Sequence, residues 1–539
     1  MAGLTAAHEL AERDFSVVVY ENRKAPGGKA RSMAKPGSAT AGRLPLPGEH
    51  GFRFFPGFYR HVPDTMRRIP YGTRTVFDNL VPATEITVAR AGAPRIILPA
   101  HLPTSPAQIG LVLKALFRSH LGLSWSDALH ITERLLMLLA SSTERRLEDF
   151  EPQSWWDFSG AAQRSPAYQK FLADGLTRTL VAAKAKEMSA RTGGLILLQL
   201  LFDLARVGSK MDRILCGPTS DVWLGPWVDY LTKQKGVEIH YDSRATSIHC
   251  AGHDITGITV RTPASTKVES KVDLVTADYY VVAVPVEIMR DALVNDDLRK
   301  AEPRLADLHQ LKTRWMNGVM FYLRTDVPLR HGHTIYIDSE WALTSISQHQ
   351  FWSDVDFSRM GDGQVRGILS VDVSDWETDS SVLKKPAKRC SRDELVGEVW
   401  RQLKVHCNDG DLPVLDDANL VTTFVDPDVE WPNPDGVTTN AEPLLINTAG
   451  SWRWRPDAVT AVGNLFLAGD YVRTNTDLAT MEGANEAARR AVNGILDAHG
   501  SNEPRCQVWA LDEPMLTAPL RAVDRAWFEV RPHFHGVGA

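Results

Sequence analysis

The order of apolar and polar positions divides the chain into segments of two kinds. Val17 to Tyr20, Val281 to Val284 and Leu465 to Ala468 are short unbroken apolar runs. Such runs, bounded by turn-forming residues, predict strands buried on both faces. Gly236 to His240, Gly318 to Leu323 and Gly367 to Val371 predict further strands. Leu-rich helical periodicity covers Ser126 to Leu139 and Gly193 to Val207. Gly3 to Leu10 and Thr480 to Arg489 also read as helices, and their small side chains allow close packing against a sheet. No repeat or low-complexity segment interrupts this alternation.

A chain of 539 residues is longer than one hydrophobic core usually serves, so two interlocked domains are expected. Hydrophobic residues make up 43% and charged residues 23%, ordinary for a globular protein. The net charge of -6 offers no general attraction for nucleic acid, and no nucleic-acid partner is expected. The five cysteines are scattered without a C-x-x-C pair, which reads as reduced thiols in a cytoplasmic setting. The N-terminus enters an amphipathic helix pattern directly, without the pattern of a secretory leader. No apolar stretch reaches the ~18–20 residues that span a bilayer. Gly194 to Phe202 reads as a buried helix. Ile109 to Phe117, with Lys114 and Arg118, reads as a buried helix or one lying against a membrane surface, so peripheral membrane contact is an expectation.

The densest chemistry lies near the two ends. The strand pattern Val17 to Tyr20 is followed by Glu21, whose carboxylate can accept hydrogen bonds from both hydroxyls of a ribose. A dinucleotide-binding unit places such an acid about 20 residues after the last glycine of G-x-G-x-x-G. Gly3 stands eighteen positions before Glu21 and fits that last glycine. The other two glycines and the first strand would precede Met1, so the natural fold is expected to begin earlier than this sequence does. Pro26-Gly27-Gly28-Lys29 reads as a tight turn. It is not a P-loop, because Arg23 and Ala30 stand where that motif needs Gly and Ser or Thr. Near the other end, Gly469-Asp470 closes an apolar run and a helix pattern begins ten residues later. A helix N-terminus there suits an electron-rich ligand. Leu46 to Tyr59 is a loop of glycines and aromatics around Glu49, His50 and Arg53. His331/His333 and His533/His535 lack a nearby carboxylate or third histidine, so they read as solvated side chains and no metal is expected.

Glu21, Gly27-Gly28-Lys29 and the segment from Gly469-Asp470 to Met481–Ala484 together resemble the flavin amine oxidase and phytoene desaturase superfamily. The resemblance implies an α/β fold with a discontinuous Rossmann-like FAD-binding domain (1–100, 210–300 and 440–500). A mixed α+β substrate domain (101–209 and 301–439) and a C-terminal tail (501–539) complete the chain. It implies FAD held by Gly3, Glu21, Gly27, Gly28, Lys29, Ala245, Pro285, Gly469, Asp470, Met481, Glu482, Gly483 and Ala484. Gly51, Phe52 and Arg53 would pass over the flavin ring, with Arg53 the candidate catalytic group. Phe54, Tyr59, Trp452 and Trp454 would wall a substrate pocket.

Amine oxidases of this superfamily usually carry a Lys near flavin N5. The corresponding stretch Arg314 to Met320 has none, and Lys312 lies a few residues early. The Gly28-Lys29 pair resembles the form common in carotenoid desaturases. The expected activity is therefore desaturase-like hydride transfer from a hydrophobic isoprenoid, polyene or lipid-like substrate to flavin N5. A flavin amine oxidase, and a flavin-free relative acting as a binding protein, are the alternatives. Nothing in the sequence sets the oligomeric state.

Overall fold

The computed structural model describes residues 1–99, 122–175, 183–205, 212–263, 270–327, 329–408, 414–432 and 438–530. The elements that place the site begin with helix α1 (Ala2–Ala11), strand β1 (Val18–Tyr20) and helix α2 (His61–Arg68). Next come the hairpin β2 (Glu85–Arg90) and β3 (Ala93–Pro99), and helices α3 (Trp125–Ala140) and α4 (Ala190–Ala205). β4 (Glu238–His240), β5 (Arg244–Ala251), β6 (Asp254–Thr262), β7 (Lys271–Val275) and β8 (Tyr280–Val282) follow. Then come β9 (Lys312–Arg314), β10 (Asn317–Leu323), β11 (Thr334–Tyr336), β12 (Leu343–Ser347) and β13 (Gly367–Val373). β14 (Leu420–Val425), β15 (Leu444–Ile446), β16 (Leu465–Leu467), α5 (Met481–His499) and α6 (Ala518–Val530) complete the series.

The two ends of the chain meet in one layer. β1 pairs in parallel with β4, and β8 pairs in parallel with β16. No ladder joins these two pairs among the described residues. α1 packs against α5 with alanines at the contact: Ala2 and Ala6 share a core with Ala484, Ala487, Ala488 and Ala491. Small side chains let the helix axes approach closely. Asn485 Nδ2 then reaches Thr5 Oγ1 and Thr65 Oγ1, both at 3.0 Å, tying α5 to α1 and α2. β5, β6 and β7 form a separate antiparallel sheet.

The second part is built on a seven-stranded sheet in the order β14-β10-β13-β12-β11-β2-β3. Only β2 and β11 run parallel; the other neighbours are antiparallel. Every residue of β10 and β13 is buried. That follows from covering both faces: Val319 and Phe321 pack towards Leu395, Val399 and Leu403 of the helix Arg392–Cys407. Met320 and Tyr322 pack on the other side with Leu46 and Phe52.

Two boundaries differ from the sequence expectation. β2 and β3 fall within residues 1–100, yet they join the large sheet through Thr334–Tyr336. The alternation of a strand reveals its faces but not its partner, which here is distant in sequence. Conversely, Leu305, Leu308 and Leu311 lie in the stretch assigned to the substrate part but pack in the core of α1, α5 and β16.

α3 and α4 form a helical layer around Leu138, Trp155 and Leu198. The stretch after α5 returns across the body. Trp509 N donates to His61 Nε2 at 3.0 Å, and Asp512 N to Gln199 Oε1 at 2.9 Å. Asp524 of α6 accepts from Ser142 N at 2.8 Å and from Arg145 Nε at 2.7 Å. No helix among the described residues is long and apolar enough to cross a membrane. The segment Ile109 to Phe117, and His533 and His535, lie outside the described residues.

Candidate active site

A cavity of about 1220 Å³ collects residues from three distant stretches of chain. Gly3, Glu21, Gly27, Gly28 and Lys29 line it, as do Gly51, Phe52, Arg53, Phe54 and Tyr59. Ala245, Pro285, Gly469, Asp470, Met481 and Ala484 complete the expected set that it brings together. The cavity also runs between β1 and β8, with Val17–Tyr20 on one side and Tyr280–Val284 on the other.

The mouth is made by backbone. Glu21 continues β1: its amide donates to His240 O and its carbonyl accepts from Ser243 N, both at 2.8 Å. Among the described residues its Oε1 accepts only the local Arg23 amide, at 2.8 Å. Gly27 and Gly28 have φ of +107° and +55°, and a Cβ on Gly27 would lie 2.4 Å from Leu224 Cδ1. Only glycine serves that turn, which brings bare backbone to the cavity wall.

Opposite, Thr480 Oγ1 caps α5 by accepting from Gly483 N at 3.2 Å. The helix thus presents its positive end beside Met481 and Ala484. Glu482 and Gly483 do not line the cavity. The Glu482 carboxylate accepts the amides of Arg60, His61 and Val62 at 2.6, 2.7 and 2.9 Å, and so caps α2. On a helix surface, residue i+1 points about 100° away from residue i, so Glu482 faces α2 while Met481 faces the cavity.

The inner end is more polar than expected. Arg53 donates to the carbonyls of Gly51 and Lys29, locking the aromatic loop to the Gly27–Lys29 turn. Glu49 is buried behind it, accepts from Thr219 N and Oγ1 at 3.0 and 3.1 Å, and does not line the cavity. Burial pushes its carboxyl up to about 7, against the pull of Arg53. Asp372 of β13 does line the cavity and accepts from Phe52 N at 3.2 Å. Burial pushes it up to about 7 as well, although Arg53 and His50 favour its charged form.

His50 lines the cavity with its Nδ1 at 2.5 Å from Asp426 Oδ2. Asp426 also accepts from Asn317 Nδ2 at 2.6 Å. Burial works against its charge, but His50, the Asn317 amide and the Asp428 N–H together outweigh that and hold the carboxyl below its ordinary range. Asp372 and Asp426 escaped the sequence reading. The available signal was a single acid inside the buried run Gly367 to Val373.

Three expected positions lie elsewhere. Trp452 sits under the Arg191 guanidinium at 4.3 Å, and Trp454 packs against the core of α1 and α5. Their turn is held by Glu151, which accepts from Trp452 N at 3.0 Å, and Leu444, Leu445 and Asn447 form the cavity wall there. His333 is not solvated: it pairs with Asp212 and packs against Phe52 and Phe54, with ring centroids at 5.0 and 4.8 Å. Among the described residues, His50, Asp426 and Asp428 form the one cluster close enough to hold a metal ion. Asp428 already bears the guanidinium groups of Arg23 and Arg31, each at 2.9 Å.

An acid at the end of β1, a glycine turn and a capped helix N-terminus along one cavity fit a flavin adenine dinucleotide. Comparison with known proteins gives the same direction. A curated relative, the probable zeta-carotene desaturase of Synechococcus elongatus, is 24% identical over 529 residues, covering 92% of this chain and 97% of that one. Among solved structures, putrescine oxidase superposes with a TM-score of 0.58 at 13% identity, covering 92% of this chain and 97% of that one. Cyclohexylamine oxidase from Brevibacterium oxydans gives 0.56 at 13%, covering 93% and 97%. An oxidoreductase from Methanosarcina mazei gives 0.56 at 10%, covering 92% and 98%. At these identities the structures establish the fold alone. The sequence model described as flavin containing amine oxidoreductase matches residues 1–496. The chain therefore belongs to the flavin-containing amine oxidoreductase family and is an FAD-dependent oxidoreductase.

Proposed function

We propose that the enzyme oxidises a long apolar substrate, an isoprenoid, polyene or lipid-like molecule, at carbon in a desaturase-like reaction. The observation that carries this reading is the wall beside the Arg53 loop. Phe52, Phe54, Tyr59, Met188, Met316 and Leu444 line it, and Lys312, on the edge strand β9, does not. Rigid aromatic and thioether side chains offer contact area to an extended hydrocarbon. The whole-length likeness to a probable zeta-carotene desaturase supports the same substrate class. When bound, the flavin supplies at N5 the two-electron acceptor for the hydride lost from carbon. The protein contributes these apolar lining residues and the loop His50–Phe54.

A substrate of this class resides in membranes, and we extend the proposal to peripheral membrane contact. Trp125 and Leu129 of α3 are 70% and 69% exposed, and Leu516, just before α6, is 91% exposed. Co-sedimentation with lipid vesicles tests that part.

The chemical reading is tested by anaerobic mixing of the FAD-loaded enzyme with apolar polyenes or isoprenoids and, separately, with primary amines, while flavin absorbance is followed. Rapid bleaching by the apolar set is expected. Bleaching by amines alone would replace this reading with amine oxidation.

A further inference from the structure

We propose that His50, oriented by Asp426, is the proton acceptor for substrate oxidation. The proposal rests on the reading that oxidation occurs at carbon. Introducing a C=C bond removes a hydride and a proton from adjacent carbons. The two-electron oxidant is the flavin. The proton needs a base, and its C–H electron pair becomes the new π bond as the proton passes to the imidazole.

Among the described residues His50 is the one histidine lining the cavity. Its Nδ1 stands 2.5 Å from Asp426 Oδ2, close enough for an ion pair though not aligned as a hydrogen bond. Its Nε2 makes no hydrogen bond among the described residues. A carboxylate at one ring nitrogen fixes the tautomer that leaves the other nitrogen free to accept a proton, and stabilises the imidazolium that results. Asp426 is itself held by Asn317 Nδ2, and Asn440 Nδ2 steadies Asn317 at 2.7 Å. The His50 carbonyl accepts the Gly318 amide at 2.6 Å, so the loop is pinned to β10.

The other polar groups at this end are committed elsewhere. Arg53 spends its donors on Gly51 and Lys29, and Glu49 on Thr219. Asp372, which also lines the cavity, accepts the Phe52 amide at 3.2 Å. The charged groups around His50 are Asp426 and, 4.0 Å away, Asp428 from the segment after β14, Asp372 from β13, and Arg53 and Glu49 from its own loop. Arg23 and Arg31 neutralise Asp428.

The test uses the FAD-loaded enzyme with His50→Asn, which keeps a donor towards Asp426 but no basic nitrogen, and Asp426→Asn. Flavin reduction is followed anaerobically across the neutral pH range with whichever substrate panel bleaches the wild type. His50→Asn should slow reduction on the order of a hundredfold or more while FAD affinity stays unchanged. Asp426→Asn should slow it less and lower the midpoint of the pH profile. A second readout needs no substrate: the Cε1–H resonance of His50, assigned by its loss in His50→Asn, should shift in Asp426→Asn. Reduction by His50→Asn at the wild-type rate overturns the proposal. So does a His50 resonance that Asp426→Asn leaves unmoved. If only amines bleach the wild type, the substrate reading falls while the two variants still decide the proton acceptor.

Discussion

A Cβ on Gly51 would stand 2.4 Å from Asp372 Oδ1, so the aromatic loop crosses β13 where no side chain fits. The contact joins the loop that faces the cavity to the central strands of the large sheet. Gly51→Ala should force the two apart and cost about 1–3 kcal/mol of stability, as overpacking of a filled interior does. Thermal unfolding and FAD titration of the variant check this. Asp372→Ala in the same chain should recover part of the loss.

Asp372 also makes stability depend on pH. In the folded chain it keeps its proton up to about 7, whereas an unfolded aspartate loses it near ~3.9. The folded state binds the extra proton between these values, so this group's contribution to stability falls as pH rises from about 4 to about 7. Glu49, also raised to about 7, acts in the same direction. Asp372→Asn removes one of the two groups. Its stability relative to wild type should improve across that window, by at most ~1.4 kcal/mol per unit of pKa shift. Denaturant unfolding near each end of the window measures the difference. A difference independent of pH would mean that folded Asp372 is ionised throughout.

Glu482 should matter for the fold before it matters for the cofactor. Glu482→Ala strips α2 of the acceptor for three amides and leaves His61 Nδ1 without its partner at 2.8 Å. A loss of about 2–5 kcal/mol is expected. Unfolding of the apoprotein reads it directly; an unchanged midpoint would contradict the capping role.

Arg53→Ala releases the carbonyls of Gly51 and Lys29. The Gly27–Lys29 turn then loses its tether, so FAD should bind about tenfold or more weakly, the worth of ~1.4 kcal/mol. At saturating FAD the limiting rate of flavin reduction should stay close to wild type. A collapse of that rate would return Arg53 to a catalytic role.

Glu21→Ala should also weaken FAD, by removing the acceptor expected for both ribose hydroxyls. One or two charged hydrogen bonds correspond to roughly ten- to a hundredfold in affinity. Titration of the apoprotein measures it, and unchanged affinity would take Glu21 out of the site.

The expected positions that line the cavity share one property: local pattern dictates their geometry. Gly27-Gly28 can only be a turn with left-handed backbone. Val17 to Tyr20 can hardly be anything but a strand, and Glu21 follows from it. Thr480 before a run of small residues marks a helix start. What stayed hidden depends on long-range partners. Nothing near Glu482 tells that its side chain caps α2, more than four hundred residues earlier in the chain. Trp452 and Trp454 were read as pocket walls because aromatics near a flavin strand suit one, yet Arg191 and the α1–α5 core claim them. The pairing of β2 with β11 and of His50 with Asp426 likewise joins segments whose own patterns are silent about each other.

The joining of Thr5 to Asn485 bears on how the protein is made. These residues lie 480 positions apart, and Ala2 and Ala6 of α1 share a core with Ala484, Ala487, Ala488 and Ala491 of α5. During synthesis α1 leaves the ribosome long before α5 exists. Until α5 emerges, this face of α1 lacks its α5 partner, although Leu4, Ala7 and Ala11 can already pack with Val62, Met66 and Trp227. Residues from both ends line the cavity, so a ligand that binds there favours the joined form, and FAD supply during translation should raise the share of newly made chain that reaches the native state.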